Sequence, residues 1–538
     1  MIVADQQGWA SKSFRTIPLN NVATESKLKK VLTYLDIVSF GISATLGSGV
    51  FVSIGYISTY YTGPSLFLCF IVVICAVMLS ALCFAEFSSK VNMSGMGYSY
   101  TYATYGELVA FCTGILTFLS YCLGNAAVAR GWAEYLRCFI HALCDVEIPE
   151  ILTSLPLNDW ISLSVLAPTL CGASALLALS GMKESASVAK ILVILNLSIM
   201  LTFVCYGLGS YGDMDNLTPF VLPSVGWIGV LRGSGLAFFC MIGWDLMCSM
   251  TEEMKDPVRD LPRGIITAVA VVGVIYCGVS ITLSAMVPTA LIDERAPIAT
   301  AFLIHGDWNM YLLVSFVATS ICMANVLTGA IGPPRVLYTM ANDGLLFKNL
   351  TTVCTRAGIP RNATILCGSL NVLMSGLFNF HQLASLTSCF SLIVYILVCG
   401  GVLLLRNTNS RFLLVNIFLF IITSVLFQLE LFEEGDWVTP FGVANGMAAI
   451  VLWAAFRSVE SPLVFETNLC DSLLEDKTSS ACFQAPWVPL VPILAMWINS
   501  FMLASLGRVA VGWSLLVVLG CAALYLCYGA QHSRLNSL

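Results

Sequence analysis

The chain has 538 residues, of which 58% are hydrophobic and only 10% are charged. A soluble protein of this length exposes much more charge, so the composition excludes a soluble fold and indicates a protein of the membrane. The formal net charge of −6 says less than the positions of the 25 Lys and Arg residues.

The chain begins with a polar, basic tail over residues 1–35, which lacks the apolar core of a signal peptide. Fourteen apolar segments follow, each long enough to cross a bilayer as a helix. We predict these helices near residues 36–59, 64–87, 108–137, 158–180, 188–209, 230–250, 264–288, 309–340, 361–380, 383–405, 411–428, 438–456, 486–506 and 511–531. Residues 532–538 form a second short tail.

The basic residues fall unevenly between the two sides that these helices define. Twenty lie in the tails and in the loops on one side, four lie on the other side, and Arg130 lies within the third helix. Cytoplasmic loops carry the excess of Lys and Arg in membrane proteins. The pattern therefore predicts that both termini are cytosolic and that the number of helices is even.

The first helix contains two glycines around a serine, at Gly47, Ser48 and Gly49, near its middle. Glycine weakens a helix, and an interrupted helix at mid-depth turns unpaired backbone groups toward a ligand. The alternative is close packing of helices through small residues, which is common in membranes.

The sixth helix carries a matching set of glycines, at residues 232–235 and 243–245. Interruptions at corresponding places in two halves are typical of transporters built from inverted repeats. The first ten helices divide into two fives, and because five is odd the halves would insert in opposite orientations. Helices eleven to fourteen are then an added bundle, for which we expect scaffold or oligomer contacts.

Short motifs along nearly the whole chain resemble the cationic amino acid transporters of the amino acid–polyamine–organocation superfamily. The motifs are GISATLGSGVF at 41–51, FAEFSSKV at 84–91, SGMGYSY at 94–100, AVARGW at 127–132, GMKES at 181–185, FFCMIGWD at 238–245, EEMKDP at 252–257, PRVLYTMANDGL at 334–345 and YGAQHS at 528–533. The resemblance implies an all-α integral membrane protein of the LeuT type. Two inverted five-helix repeats would occupy residues 36–405, and four extra helices residues 406–531.

The resemblance also implies an amino acid site at the two interruptions. Backbone N–H groups of residues 47–49 would bind the substrate carboxylate, at the positive end of a half-helix. Backbone carbonyls near Phe239, Cys240 and Ile242 would bind the α-ammonium group. Phe239 would be an aromatic lid over the substrate or, alternatively, a packing residue.

Three further positions bear on the substrate and on coupling. Gly329, in the eighth helix, would leave room for a long side chain where some carriers of neutral amino acids have a bulkier residue; the alternative is helix packing. Ser120 stands where some members have a glutamate. Asn196 stands where proton-coupled relatives have a lysine, and because an amide cannot carry a proton we favour uniport or exchange.

Charges buried in a membrane are costly and are therefore functional candidates. Asp245 would polarise the interruption or attract a cation, or it would cap the second half-helix. Glu86 would attract a cationic side chain or pair with Lys90 at i,i+4. Arg130 and Glu134 have the same spacing and favour a structural pair.

The sequence thus predicts a carrier of arginine, lysine or ornithine that works by facilitated uniport or exchange. The alternatives are a carrier of neutral amino acids or polyamines, and an amino acid sensor on the same fold. We find no catalytic or metal-ligand pattern, and we expect no cofactor and no nucleic acid partner. The expected partners are the substrate and the bilayer. The plasma membrane is favoured, an internal membrane is the alternative, and the oligomeric state is open.

The charge pattern makes a testable prediction for the loop around Asn216. A cysteine introduced there, Asn216→Cys, should react with an impermeant maleimide in intact cells because the loop is predicted to be external. The measurement is labelling above the background of the unmodified protein. Labelling that needs permeabilised cells would reverse the assignment.

Overall fold

The computed structural model describes residues 15, 32–47, 49–90, 95–158, 161–180, 186–354, 359–407, 411–433, 438–458 and 483–536. For residues 186–193, 249, 252, 253, 354, 433, 458 and 536 it describes the backbone alone. Ser48 lies outside the described residues, so the part predicted for it stays a prediction.

The described chain is mostly α-helical, as its long apolar runs predict. In the first half the helices are α1 Tyr34–Thr45, α2 Gly49–Ile57, α3 Leu66–Lys90, α4 Met96–Thr104, α5 Glu107–Cys144, α6 Glu150–Thr153, α7 Leu166–Leu179, α8 Ala186–Thr202, α9 Leu208–Tyr211 and α10 Gly226–Ala237. In the second half they are α11 Pro257–Met286, α12 Pro297–Ile304, α13 Trp308–Gly329, α14 Gly332–Asn342, α15 Arg361–Leu377, α16 Phe380–Arg406, α17 Arg411–Glu433, α18 Val438–Ser458, α19 Leu490–Ser505, α20 Arg508–Leu524 and α21 Ala530–His532.

Shorter elements complete the described structure. The 3₁₀ segments are Gly63–Ser65, Met214–Leu217, Phe238–Met241, Trp244–Glu253, Thr289–Leu291, Lys348–Thr351 and Arg534–Asn536. The π-helical turns are Ser58–Thr62, Phe203–Gly207 and Tyr525–Gly529. Two small antiparallel hairpins pair β1 Leu155–Pro156 with β2 Ser162–Leu163, and β3 Val353–Cys354 with β4 Ile359–Pro360.

Ten helical stretches of the described chain are long and apolar enough to cross a membrane. Each of the fourteen predicted segments contains a helix, but four of them do not give a separate long one. The first is interrupted, and its outer half runs on into the second over Gly49–Lys90. The fourth, ninth and thirteenth are short, with 14, 17 and 16 helical residues. The fourteen-helix arrangement stays a prediction.

The helices pack around one large core, and they differ in how much of their surface is buried. Helix α3 packs on α11, and α5 contacts both α13 and α16. In the most apolar part of α16, 89% is buried inside the protein. The corresponding share is 22% both for α18 and for the helical stretch that contains α20. A helix that is apolar all round and buried is a core helix, so α16 lies at the centre of the fold.

Arg130 does not form the predicted pair with Glu134. Its guanidinium donates instead to three backbone carbonyls, those of Ser375 at 2.6 Å, Thr153 at 3.4 Å and Ser162. Glu134 pairs with Arg137 at 3.3 Å. The expectation was wrong because free carbonyls at the ends of helices α6 and α15 and in strand β2 offer Arg130 more acceptors than one carboxylate does.

Candidate functional site

The first predicted helix is interrupted at its glycines, as the sequence predicts. Helix α1 ends at Thr45 and α2 begins at Gly49. Two carbonyls freed by the interruption are bound by side chains from other helices. The Tyr276 hydroxyl donates to the carbonyl of Thr45 at 3.0 Å, and the Asn196 amide donates to that of Leu46 at 2.9 Å.

The sixth predicted helix is also interrupted, but only at the second of its two glycine sets. Helix α10 runs unbroken through residues 232–235, contrary to our expectation for that set. It gives way to a 3₁₀ turn, Phe238–Met241, and then to an extended residue, Ile242. Gly243 follows with φ +120°, a backbone conformation that L side chains rarely adopt. A second 3₁₀ segment, Trp244–Glu253, completes the span.

The two interruptions are in direct contact through their backbones. A Cβ atom added to Gly49 would lie 2.8 Å from the Cα atom of Cys240. A Cβ atom added to Gly243 would collide with the carbonyl oxygen of Ala44. Both glycines are therefore required by close approach, which brings Gly49 against Cys240 and Ala44 against Gly243.

A layer of four aromatic rings covers one side of this contact. Phe239 is 7% exposed and packs edge-on against Phe380, with ring centroids 5.6 Å apart. Phe380 contacts His381, which stacks on Tyr56 at 3.7 Å. The rings come from the 3₁₀ turn, from α16 and from α2. Phe239 is thus packed, and its predicted part as a lid stays a prediction.

A small cleft of about 20 Å³ lies beside the first interruption, on the side of α1. Its lining comes from α1, α8 and α13 and comprises Ser43, Leu46, Asn196, Ile321, Ala324, Asn325 and Thr328. Two buried polar atoms of this lining have no hydrogen-bond partner among the described residues, Asn196 Oδ1 and Asn325 Nδ2. Unpaired buried polar atoms are unusual and indicate a position where water or a ligand binds.

Asn325 was missed by the sequence analysis. Its Nδ2 atom lies 3.8 Å from the position of a Cβ on Gly47, so it borders the first interruption. Asparagine is uncommon in an apolar helix, and this rarity is the signal that could have drawn attention to it.

Asp245 is buried, at 6% exposure, directly after the second interruption. The hydroxyl groups of Tyr121 and Tyr395 lie near its carboxylate, but its Oδ1 atom and both hydroxyls have no hydrogen-bond partner among the described residues. It takes part in none of the ion pairs found within the described part of the chain. The N-cap position of the second half-helix belongs to Gly243, so the structure does not show the predicted cap, and Asp245 stays a candidate for a buried charge near the site.

Ser120 and Gly329 are in contact with neighbouring helices. The Ser120 hydroxyl shares a 2.6 Å hydrogen bond with Ser391 and joins α5 to α16. A Cβ on Gly329 would lie 2.5 Å from Oδ1 of Asn125, so this glycine lets α13 approach α5. The Asn125 Nδ2 atom is buried and has no partner among the described residues.

Glu86 lies in the last turns of α3, two residues after Phe84, whose ring packs on Trp244 with centroids 5.1 Å apart. Its carboxylate pairs with Lys90 at 3.0 Å, as one of the two interpretations predicts, and with Arg406 at 2.8 Å. Both oxygens are occupied, so direct attraction of a substrate is disfavoured. The side chains of Glu252 and Glu253 lie outside the described atoms.

Comparison with known proteins gives matches to the same family along most of the chain. A family model for amino acid permeases matches residues 32–456, and a model for the C-terminus of such permeases matches residues 483–533. The methylthioribose transporter of Bacillus subtilis (strain 168) is 32% identical over 409 residues, which cover 74% of this chain and 87% of that protein.

Two other relatives differ in substrate and in coverage. The branched-chain amino acid permease BcaP of the same organism is 32% identical over 387 residues, covering 71% of this chain and 82% of that protein. The vacuolar cationic amino acid transporter 4 of Arabidopsis thaliana is 28% identical over 563 residues, covering 95% and 93%. The plant protein therefore matches the four C-terminal helices as well.

The backbone contact makes a prediction about two glycines. Gly243→Ala should lower the stability of the purified protein by about 1–3 kcal/mol, because a side chain there is strained and collides with Ala44. Gly47→Ala is the matched control, since a Cβ atom there would lie 3.8 Å from Nδ2 of Asn325, an ordinary contact distance. Thermal unfolding in detergent, read by size-exclusion fluorescence, is the measurement. Equal melting temperatures for the two variants would contradict the model.

Proposed function

This chain belongs to the amino acid permease family, and from that premise we propose that it moves an amino acid across a membrane by alternating access. The family consists of transporters rather than enzymes. The observation that carries the proposal is the contact between two interrupted helices at Gly49 and Cys240. Interrupted helices present unpaired backbone groups at mid-depth, and such groups bind small polar substrates in many carriers.

The proposed architecture is the LeuT-type arrangement of fourteen helices. Residues 36–405 form two inverted five-helix repeats, and residues 406–531 add four helices. The interruption after α1 and the one after α10 support this division, because each lies in the first helix of its repeat. Residues 1–35 and 532–538 are cytosolic tails.

The proposed binding site uses the backbone of both interruptions. The N–H groups of residues 47–49, which lead into α2, bind the substrate carboxylate as helix N-termini bind anions. In the conformation described here the Gly47 N–H donates to the Thr45 carbonyl at 2.7 Å, so the substrate has to replace that bond. The carbonyls of Phe239, Cys240 and Ile242 bind the α-ammonium group. Ile242 supports this assignment because its extended backbone turns its carbonyl away from helical hydrogen bonding.

We propose a cationic amino acid as the substrate. The plant relatives named cationic amino acid transporters match more than nine-tenths of this chain. Asp245 adds a buried negative charge near the site that belongs to none of the ion pairs of the described chain. A neutral substrate is the second candidate, since two bacterial relatives carry the names of a branched-chain amino acid permease and a methylthioribose transporter.

In alternating access, the site is open to at most one side of the membrane at a time. We infer that the two sides of this site differ in that way. The rings of Phe239, Phe380, His381 and Tyr56 close one side. The cleft bordered by α1 lies on the other. With cytosolic termini, α1 is the inner half-helix, so we assign this conformation to a state closed to the outside with the cleft on the inner side.

We further propose that transport is uniport or exchange rather than proton symport. Asn196 binds the carbonyl of Leu46 with an uncharged amide at the first interruption. A neutral amide can hold this carbonyl without gaining or losing a proton. The driving force for a cationic substrate is then its own gradient and the membrane voltage.

The substrate is tested by counterflow of radiolabelled arginine, alanine and leucine in proteoliposomes. Arginine should accumulate most in the unmodified protein. In Gly329→Met the long side chain displaces Asn125 and fills the space beside it, so arginine uptake should fall about tenfold more than alanine uptake.

Gly329→Ala is the control, because the end of the Asn125 side chain can turn away from a single methyl group. Equal loss of arginine and alanine uptake in Gly329→Met, at unchanged surface expression, would leave only the packing interpretation. Stronger counterflow of leucine than of arginine in the unmodified protein would favour the second candidate substrate.

Coupling makes a separate prediction. One positive charge that moves through 100 mV is worth about 2.3 kcal/mol, so voltage alone would concentrate arginine about fiftyfold. We expect an arginine current that depends on voltage and changes little with an imposed pH gradient. Asn196→Lys supplies a titratable group and should make uptake depend on pH. Uphill uptake that follows a pH gradient at zero voltage in the unmodified protein would refute uniport.

A further inference from the structure

Glu86 is bound by four donors although its side chain is completely buried. Lys90 Nζ donates to Oε1 at 3.0 Å. Arg406 donates through Nε to Oε1 and through Nη2 to Oε2, both at 2.8 Å. The backbone N–H of Ala485 donates to Oε2 at 2.9 Å. These donors come from α3, from the end of α16 and from residues 483–485, which lie just ahead of α19.

The chain at residues 483–485 is fastened at further points. Arg406 Nη2 also donates to the carbonyl of Ala485 at 3.0 Å. The Ser89 hydroxyl donates to the carbonyl of Phe483 at 3.0 Å. The segment that leads into α19 is therefore bound to the ends of both α3 and α16. We call Glu86, Arg406 and residues 483–485 the Glu86 junction.

Helix α19 contacts helices of both proposed repeats. Asn499 donates to the Ser80 hydroxyl of α3 at 2.7 Å. A Cβ on Gly235 would lie 2.8 Å from the carbonyl oxygen of Met502, so α10 touches α19 closely. Helix α19 also packs against α16. These contacts give α19 a closer connection to the two repeats than the scaffold or oligomer contacts expected from the sequence.

We propose that Glu86 is a positioning residue that couples α19 to the two repeats and sets the rate of their relative motion. This inference rests on the proposed function. Helix α3 belongs to the first repeat and α16 to the second, and alternating access moves one repeat against the other. The Glu86–Arg406 pair crosses that boundary, and Ala485 connects the same carboxylate to α19.

The physical reason lies in the cost of an incomplete buried pair. Removing one partner leaves the other charge uncompensated in a poorly hydrated place. The junction therefore holds α3, α16 and α19 together at one end of the membrane. The bonding partners of Glu86 are Lys90, Arg406 and Ala485, none of which belongs to the two interruptions, so altering the junction should change the rate of conversion between states and leave substrate affinity nearly unchanged.

The test compares variants that alter different members of the junction. Glu86→Gln removes the charge at nearly constant size. Ala485→Pro deletes only the N–H donor, and since Ala485 precedes Pro486 its backbone favours an extended conformation that proline also adopts. Ala485→Gly keeps the donor and is the matched control. The double variant Glu86→Arg with Arg406→Glu restores the pair in reverse.

We expect Glu86→Gln and Ala485→Pro to lower Vmax about tenfold with KM within about twofold, as befits the loss of one charge-assisted hydrogen bond. Ala485→Gly should retain Vmax, and the reversed pair should recover part of it. Uptake is measured with whichever substrate the unmodified protein carries, so failure of the arginine proposal does not affect this experiment.

A second measurement needs no substrate. In a Thr328→Cys background, mass spectrometry gives the rate at which a maleimide modifies position 328 in the cleft. Glu86→Gln and Ala485→Pro should change that rate about tenfold. A raised KM with unchanged Vmax would overturn the proposal and assign Glu86 to substrate binding. Unchanged Vmax and labelling at normal expression would reduce the junction to a structural anchor.

Discussion

The structure depends on one constraint, that backbone N–H and C=O groups within a membrane need hydrogen-bond partners inside the protein. An interrupted helix breaks this condition for several groups at once. Here tertiary contacts restore it for two carbonyls: Tyr276 of α11 binds that of Thr45, and Asn196 of α8 binds that of Leu46. The interruption is therefore fixed by two other helices.

The sequence predicts the features that depend on local chemistry. The glycines around Ser48 and the glycine at 243 each predict an interruption, because no other residue permits such close backbone contact. Periodicity and apolar length place a helix in all fourteen segments. The glycines at residues 232–235 failed as predictors because the same residue type also serves close packing, here of α10 against α19.

Features that depend on distant parts of the chain could not be predicted. Arg130 binds carbonyls from residues 153, 162 and 375, and Glu86 binds donors 320 and 399 residues away. Spacing suggested only local partners at i,i+4. Two of the buried carboxylates consequently differ: Glu86 is compensated by cations, whereas Asp245 takes part in none of the ion pairs of the described residues.

The stacked rings of Tyr56 and His381 and the edge-on pair of Phe380 and Phe239 have a consequence for salt. Contacts between rings owe their strength to buried area and to the quadrupoles of the rings, neither of which dissolved ions screen appreciably. A closure built from ion pairs at the aqueous surface would loosen as salinity rises. The aromatic closure found here keeps its strength, so, in the orientation proposed above, it presents the same outer barrier to media of widely different ionic strength.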